Sequence, residues 1–477
     1  MLFFQLNIPK VQKKVEKQYR YNLGKGNYSK MRNSLDETDW DILENKNVQE
    51  QWDIIKDKII TEMDKNIPKI EVGEKKKFKP CWINNKILRK IKKKYYVFKR
   101  FLISREGRDY ENYIRRRNQC NRMIRKAKKK HESNIAKESK TNPGKFWKYV
   151  NQKCKSNVGI SSLKDKEGNL VTSDKGKAEL LNEFFTSVFL IEDTNNLPKI
   201  EENSLSNGRT IIYPIITPIE VEKKLKALNQ NKTQGPDKIP PKVLKELSKQ
   251  LAYPLSVLFN NSLNSGKIPE DWKFAEVTAI FKKGNRTDPG NYRPVSLTTI
   301  CCKIMEQFIR DSIVKHMNDN NLYNECQRGF RSSRSCITQL LQVYDELTKL
   351  LDEGKSVDIA YLDFRKAFDS IPHERLMIKM KGYGINGKVL DWVRDFLTGR
   401  EQLVRVGNYY SGRTKVTSGI PQGSILGPVL FTLFINDLPD TIKSNCKVFA
   451  DDTKIYNEVG NSNINQDDLY NMQSWTH

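Results

Sequence analysis

The chain has 477 residues, 37% of them hydrophobic and 30% charged, with a formal net charge of +27. That length accommodates two to four domains. The apolar run Leu2–Leu6 is too short for a secretion signal, and the longest mostly apolar stretch, Ile425 to Ile435, is about half a membrane span and holds Gly427 and Pro428, so a soluble, intracellular, non-membrane protein is expected. Eight cysteines form no CxxC and are joined by only four histidines, which leaves a structural zinc site unsupported.

In chain order, residues 1–72 read as a helical N-terminal segment. Val48, Trp52, Ile55, Ile59 and Met63 recur at steps of four and three, one apolar helical face, and Pro68 follows its end. Residues 73–155 carry most of the charge. From Lys75 to Lys155 there are 29 Lys and Arg against 5 Asp and Glu, a local excess of 24 positive charges. Like charges this dense repel one another, and a polyanion relieves that repulsion and releases counterions. Two helices are predicted here, striped by Ile83, Ile87 and Ile91 and then by Tyr113, Cys120, Ile124 and Ala127. Aromatics interleave with the charges (Tyr95, Tyr96, Phe98, Phe101, Tyr110, Tyr113, Phe146, Trp147 and Tyr149), serving either as stacking surfaces for bases or as helix contacts.

Residues 156–210 read as a hairpin around Asp165–Asn169, a helix with Leu180, Leu181, Phe184, Phe185, Val188 and Phe189 on its core side, and a polar linker over 191–208. Thr217-Pro218-Ile219-Glu220 is a capping box that restarts structure, and strands alternate with helices over 211–477. No internal repeat is visible.

The chemistry sits in the C-terminal third. A β-rich run, Val357 to Phe364, carries Asp363 near its end, and Asp369 lies six residues further on. Val448 to Tyr456 places Asp451 and Asp452 between two apolar half-strands, the pattern of a tight hairpin with both acids at its tip. A lone Asp-Asp is most often only a turn. Adjacent carboxylates raise each other's pKa unless a cation neutralises them. A hard divalent ion does so with oxygen ligands, and a third carboxylate from a neighbouring strand allows two ions roughly 3.5–4 Å apart, the arrangement of nucleotidyl transfer.

The motifs around these acids resemble the reverse transcriptases of non-LTR retrotransposons, the jockey-like groups above all. Tyr361-Leu362-Asp363-Phe364-Arg365-Lys366-Ala367-Phe368-Asp369 is similar to their first palm motif, Gly419 to Pro428 to the next, and Phe449-Ala450-Asp451-Asp452 to the metal-binding box. Upstream, Gly235 to Pro240, Asn291 to Leu297 and Gln327 to Arg331 also match in the family's order. The resemblance implies an α/β (α+β) right-hand polymerase with fingers and palm over 211–477 and a basic helical extension before it. It implies that Asp363, Asp451 and Asp452 bind two Mg²⁺ ions, with Mn²⁺ as an alternative. By the same token Phe364 lies beside the triphosphate, and Phe368 is the steric gate that rejects a ribose 2′-hydroxyl, which disfavours an RNA-making polymerase. Gln422 and Gly423 lie under the nucleotide, and Lys282 and Arg293 hold the phosphates. The implied partners are template RNA, primer or target DNA, and deoxynucleoside triphosphates. The basic block is similar to the segment that precedes the polymerase in such elements. The family's endonuclease motifs are absent from residues 1–72, and the chain stops at His477, 25 residues after Asp452, ahead of the thumb. The competing expectation is a catalytically inactive remnant that only binds nucleic acid.

Overall fold

The computed structural model describes residues 19–71, 80, 82–153, 159–459 and 462–476. The apolar run at Leu2–Leu6, the basic stretches 72–79 and 154–158, and Cys81, Cys154 and His477 lie outside the described residues. The chain divides into two compact units, residues 1–20 with 69–159 and residues 21–68 with 160–477. No helix among the described residues is long and apolar enough to cross a membrane.

Helices α1 (Tyr28–Asp36) and α2 (Val48–Asn66) belong to the second unit. Asn47 caps α2 and Glu50 returns the bond, a full capping box that holds the helix start. The predicted stripe Val48, Trp52, Ile55, Ile59 and Met63 is buried throughout. Trp52 packs edge-on against Trp272 at 5.6 Å and donates its indole N–H to Asp271. The apolar face of α2 is therefore completed by residues more than 200 positions away, and for that reason 21–68 shares a core with 160–477 although the basic block separates them in sequence.

The basic unit contains α3 (Asn85–Ser104), α4 (Gly107–Glu138) and α5 (Pro143–Lys153). Asn84 caps α3, and Arg105, at φ 55°, turns the chain into α4. Asp109 pins that turn by accepting from Arg100 and Ser104. Along the two helices Phe98 meets Tyr113 at 4.8 Å and Phe101 meets Tyr110 at 5.0 Å. Four of the interleaved aromatics are thus interhelical contacts, which supply apolar burial in helices that otherwise bury little beyond Ile87, Cys120 and Ile135. Tyr95, Tyr96 and Trp147 are exposed.

In the second unit a small hairpin, β1 (Leu163–Lys164) with β2 (Leu170–Val171), leads into α6 (Asp174–Thr186). Leu181 and Phe185 on α6 are buried against a five-stranded sheet, with Val277, Tyr292 and Val404. The predicted linker 191–208 has only a 3₁₀ turn, yet it is strapped down. The Glu192 carboxylate accepts from the backbone amides of Glu374 and Arg375 at 2.8 and 2.9 Å, and Asn203 donates to the Lys381 carbonyl. The predicted capping box at Thr217 and Glu220 opens α7 (Pro218–Lys226), which packs on α8 (Ser248–Ser265).

The five-stranded sheet contains β3 (Phe274–Phe281) and β4 (Tyr292–Leu297), paired antiparallel from Glu276↔Leu297 to Phe281↔Tyr292. Two long helices follow, α9 (Ile300–Asp319) and α10 (Cys336–Asp352), before β5 (Val357–Asp363). The chain then forms α11 (His373–Gly382), α12 (Gly387–Leu397), β6 (Arg400–Val406), β7 (Thr414–Val416) and α13 (Gly427–Ile435). Strand β6 lies parallel to β3, so this sheet is mixed, in the order β7-β6-β3-β4 with a short fifth strand on β6. A second sheet joins β8 (Asn445–Phe449), β9 (Asp452–Glu458) and β5, all antiparallel in that order. Helix α14 (Ser462–Thr476) closes the described chain. The fold is mixed α/β, as expected.

Candidate functional site

Between β8 and β9 the chain reverses in two residues, Ala450 and Asp451. Phe449 and Asp452 face each other across the turn, and Ala450 sits in the left-handed region at φ 57°. A non-glycine residue there needs outside support. Gln327, 1% exposed, supplies it. Its Oε1 accepts from the Ala450 amide at 3.1 Å and the Gly329 amide at 2.7 Å, and its Nε2 donates to the Ala450 carbonyl at 3.5 Å. The neighbouring Arg328 amide donates to Val448, and Val448 in turn donates to Cys326, so 326–329 runs along the hairpin as a short splint.

Asp363 is the last residue of β5 and stands directly opposite Asp452. Cross-strand partners in an antiparallel ladder share a face, with Cβ atoms roughly 4.5–5.5 Å apart. The register thereby sets two carboxylates side by side, with Asp451 one residue away at the turn. Asp363 and Asp452 are exposed and Asp451 half-buried. Burial, then the charges of Asp452 and Asp363, push the Asp451 carboxyl above its ordinary range, while its own backbone amide and Arg293 pull it down. Among the described residues, no group of three or more His, Cys, Asp or Glu side chains is drawn together as a finished metal cage. Asp363, Asp451 and Asp452 are neighbouring carboxylates with mutual repulsion rather than a preassembled donor set.

A cleft of about 620 Å³ opens beside them. Asp363 and Asp451 line it, as do Lys282, Arg293, Phe364, Phe368, Gln422 and Gly423; Asp452 lies just outside, on β9. Lys282 follows β3 and Arg293 lies on β4; both are exposed, and neither forms an ion pair among the described residues. Lys366 joins them on the cleft wall, where burial lowers its pKa first; the charges of Lys282, Arg365 and Arg293 add to that, and Asp369 opposes it. Cations gathered along a cavity that also holds carboxylates make its wall a receptacle for an anion. Lys366 lies inside a motif the sequence displayed, yet only its placement singles it out.

The floor of the cleft is formed by Pro421 to Ser424, within the turn from Gly419 to Leu426. Gly419, at φ 81°, lies against the backbone of Asp369, where a Cβ would come within 2.5 Å of the Asp369 carbonyl. The Gly419 and Ile420 amides donate to Ile371 and Phe368. Gly423, at φ 108°, leaves no room for a Cβ beside the Ser296 carbonyl, and the Ser296 amide donates to the Gln422 carbonyl at 2.7 Å. The fully buried Glu306 accepts from the Ile425 and Leu426 amides at 2.5 and 3.1 Å, capping the start of α13, while burial pushes its carboxyl upward. Phe368 is half-buried and stacks on Phe431, centroids 4.6 Å apart and planes at 16°, so one face is core and the other lines the cleft. Phe364 meets Trp475 of α14 edge-on at 6.2 Å.

Gln327, Glu306 and Asp369 were not assigned a role from sequence. Gln327 lies in a recognisable motif, which was a signal; Glu306 had none, since nothing local marks a helix residue as another helix's cap.

Residues 280–476 match the family model described as reverse transcriptase (RNA-dependent DNA polymerase). The chain is similar to a probable RNA-directed DNA polymerase from transposon X-element of Drosophila melanogaster, 29% identical over 64% of this chain and 35% of that protein. It is also similar to the RNA-directed DNA polymerase from mobile element jockey of Drosophila melanogaster, 26% identical over 76% of this chain and 40% of that protein. A third, from transposon BS of the same fly, is 30% identical over 50% of this chain and 27% of its own length. The chain thus spans well under half the length of the curated relatives it matches.

Proposed function

Because this chain belongs, through residues 280–476, to the reverse transcriptases of non-LTR retrotransposons, we propose that it extends a primer 3′-hydroxyl with deoxynucleotides on an RNA template. The observation that carries this reading is the rung that faces Asp363 with Asp452 while Asp451 adjoins it at the turn. In this reading the three-stranded sheet is the palm and the five-stranded sheet the fingers. Asp363, Asp451 and Asp452 hold two Mg²⁺ ions. When bound, such ions lower the pKa of the attacking hydroxyl and neutralise charge on the leaving phosphate oxygens.

The protein's own part is positioning and electrostatics. Lys282, Arg293 and Lys366 face the triphosphate from the cleft wall and offset its charge. The backbone after Asp363, at Phe364, runs alongside the phosphates. Gln422 and Gly423 support the nucleotide from below, where the missing Cβ of Gly423 allows close approach. Phe368 closes the sugar pocket. Its ring is held by Phe431, so it excludes a 2′-hydroxyl by rigidity rather than by size alone.

Phe368→Ala is accordingly expected to raise ribonucleotide use relative to deoxynucleotide use by about 10–100-fold. The ratio of kcat/KM for matched dNTP and rNTP measures this and is insensitive to the stability lost with the Phe431 stack. An unchanged ratio removes the gate assignment.

The basic helical unit serves, in this reading, to hold template RNA or target DNA by phosphate contacts and shape. The triple charge reversal K128E/K129E/K130E is expected to weaken RNA binding at least tenfold near 100 mM salt. It is also expected to flatten the slope of log K against log salt by about 2. Fluorescence anisotropy on a salt series reads both. Primer extension decides between polymerase and binding-only remnant: tight, salt-sensitive binding with no extension favours the remnant.

A further inference from the structure

We propose that Asp369 is a positioning residue that acts through Gln422 to set the floor of the nucleotide cleft. This rests on the polymerase reading above for its consequence, and on hydrogen-bond geometry for its cause. Asp369 is only 9% exposed, although it is a carboxylate and coordinates nothing in the triad. Its Oδ1 accepts from Gln422 Nε2 at 2.8 Å. Its backbone is immobilised from both sides: its amide donates to the Lys366 carbonyl at 2.7 Å, and its carbonyl accepts from Ser418 Oγ at 2.8 Å. Gly419 lies against that same backbone.

A buried carboxylate needs a purpose or a partner, since desolvation disfavours it. Burial does push the Asp369 carboxyl upward, and Gln422 and Lys366 oppose this. The chemistry of the pair is directional. A side-chain amide has a donor end and an acceptor end of nearly equal shape, and on its own it turns either way. An ionised carboxylate only accepts. Asp369 therefore draws the nitrogen end of Gln422 toward itself and leaves the Oε1 and the second N–H in a defined orientation for whatever enters the cleft. The Gln422 carbonyl is tied separately to Ser296, so backbone and side chain of this residue are each held by a different element.

The test is a double-mutant cycle on the full chain. Asp369→Ala is expected to raise the KM for dNTP about 10–50-fold with kcat changed less than about threefold, while primer–template affinity stays as it was. Asp369→Asn, which keeps the shape and one acceptor, is expected to recover part of that loss and to control for folding, which thermal unfolding checks. In a Gln422→Ala background, Asp369→Ala is expected to add nothing. Losses that simply add, or an equal fall in kcat and in binding of every ligand, overturn the inference. Hydrogen exchange over 421–426 gives a readout independent of catalysis: Asp369→Ala is expected to speed exchange there by about tenfold or more. If the wild-type chain fails to extend a primer, the polymerase reading falls while exchange still decides on Asp369. If it extends and both exchange and KM ignore Asp369→Ala, the positioning role falls alone.

Discussion

Asp451→Asn is expected to lower primer extension by at least about 10³-fold while leaving the metal-free protein as stable as before or slightly more so. The two effects have one cause. Burial and the charges of Asp452 and Asp363 raise the Asp451 carboxyl in the fold, which means that its ionised form is disfavoured there. A carboxyl whose pKa is raised on folding binds its proton more tightly folded than unfolded. Without metal, this group therefore adds stability as pH falls through its titration and takes it away as pH rises. Asparagine removes the repulsion and with it a ligand. Asp363→Asn is expected to abolish extension likewise. In the wild-type protein, extension is expected to decline on acidification at a higher pH than an unperturbed aspartate dictates, and added Mg²⁺ should move that decline downward, because metal and proton compete for the same oxygens. Primer extension, thermal unfolding with and without Mg²⁺, and a pH series measure the three parts. An Asp451→Asn protein that extends normally ends the two-metal assignment.

Gly329→Ala is expected to be nearly as damaging, though it lies outside the cleft. A Cβ at 329 overlaps the Ala450 amide nitrogen and comes within 3.0 Å of Gln327 Oε1. The splint can accept it only by pushing the hairpin turn away. Overpacking of this kind costs about 1–3 kcal/mol, and a displacement of the order of 1 Å at the reacting groups costs about 100-fold in rate. Chemical denaturation and primer extension separate these, with the rate expected to fall by more than the stability loss explains. Gly107→Ala, at a position where a Cβ meets nothing within 4 Å, is the matched control and is expected to leave extension unchanged. Full activity in Gly329→Ala would show that the turn tolerates movement.

Local features were legible because they are local. The stripe on α2, the capping boxes, the core positions Leu181 and Phe185 of α6 and the β8–β9 hairpin each follow from spacing and cap chemistry within one element, although α6 ends at Thr186, short of the expected Val188 and Phe189. The candidate acids, Phe368 and the Gln422–Gly423 turn were legible as motifs. The supports that hold them were not. Gln422 meets its carboxylate 53 residues away, the first turn of α13 is capped from 119 residues away, and Ala450 is held from 123 residues away. No pattern within a window of chain encodes such partners. The same holds for residues 21–68: their apolar face was readable, but what covers it was not.

The sequence by itself determined which residue types are available: three aspartates in two β-rich runs, a bulky ring, a glycine-bearing turn, and a dense basic block. Only the tertiary structure decided that Asp363 and Asp452 occupy one rung and that Asp451 feels both. The physical reason is register. A strand repeats every two residues, so a slip of one sends every side chain to the opposite face. The rung is chosen by packing and turn contacts from elsewhere in the chain, Gln327 among them.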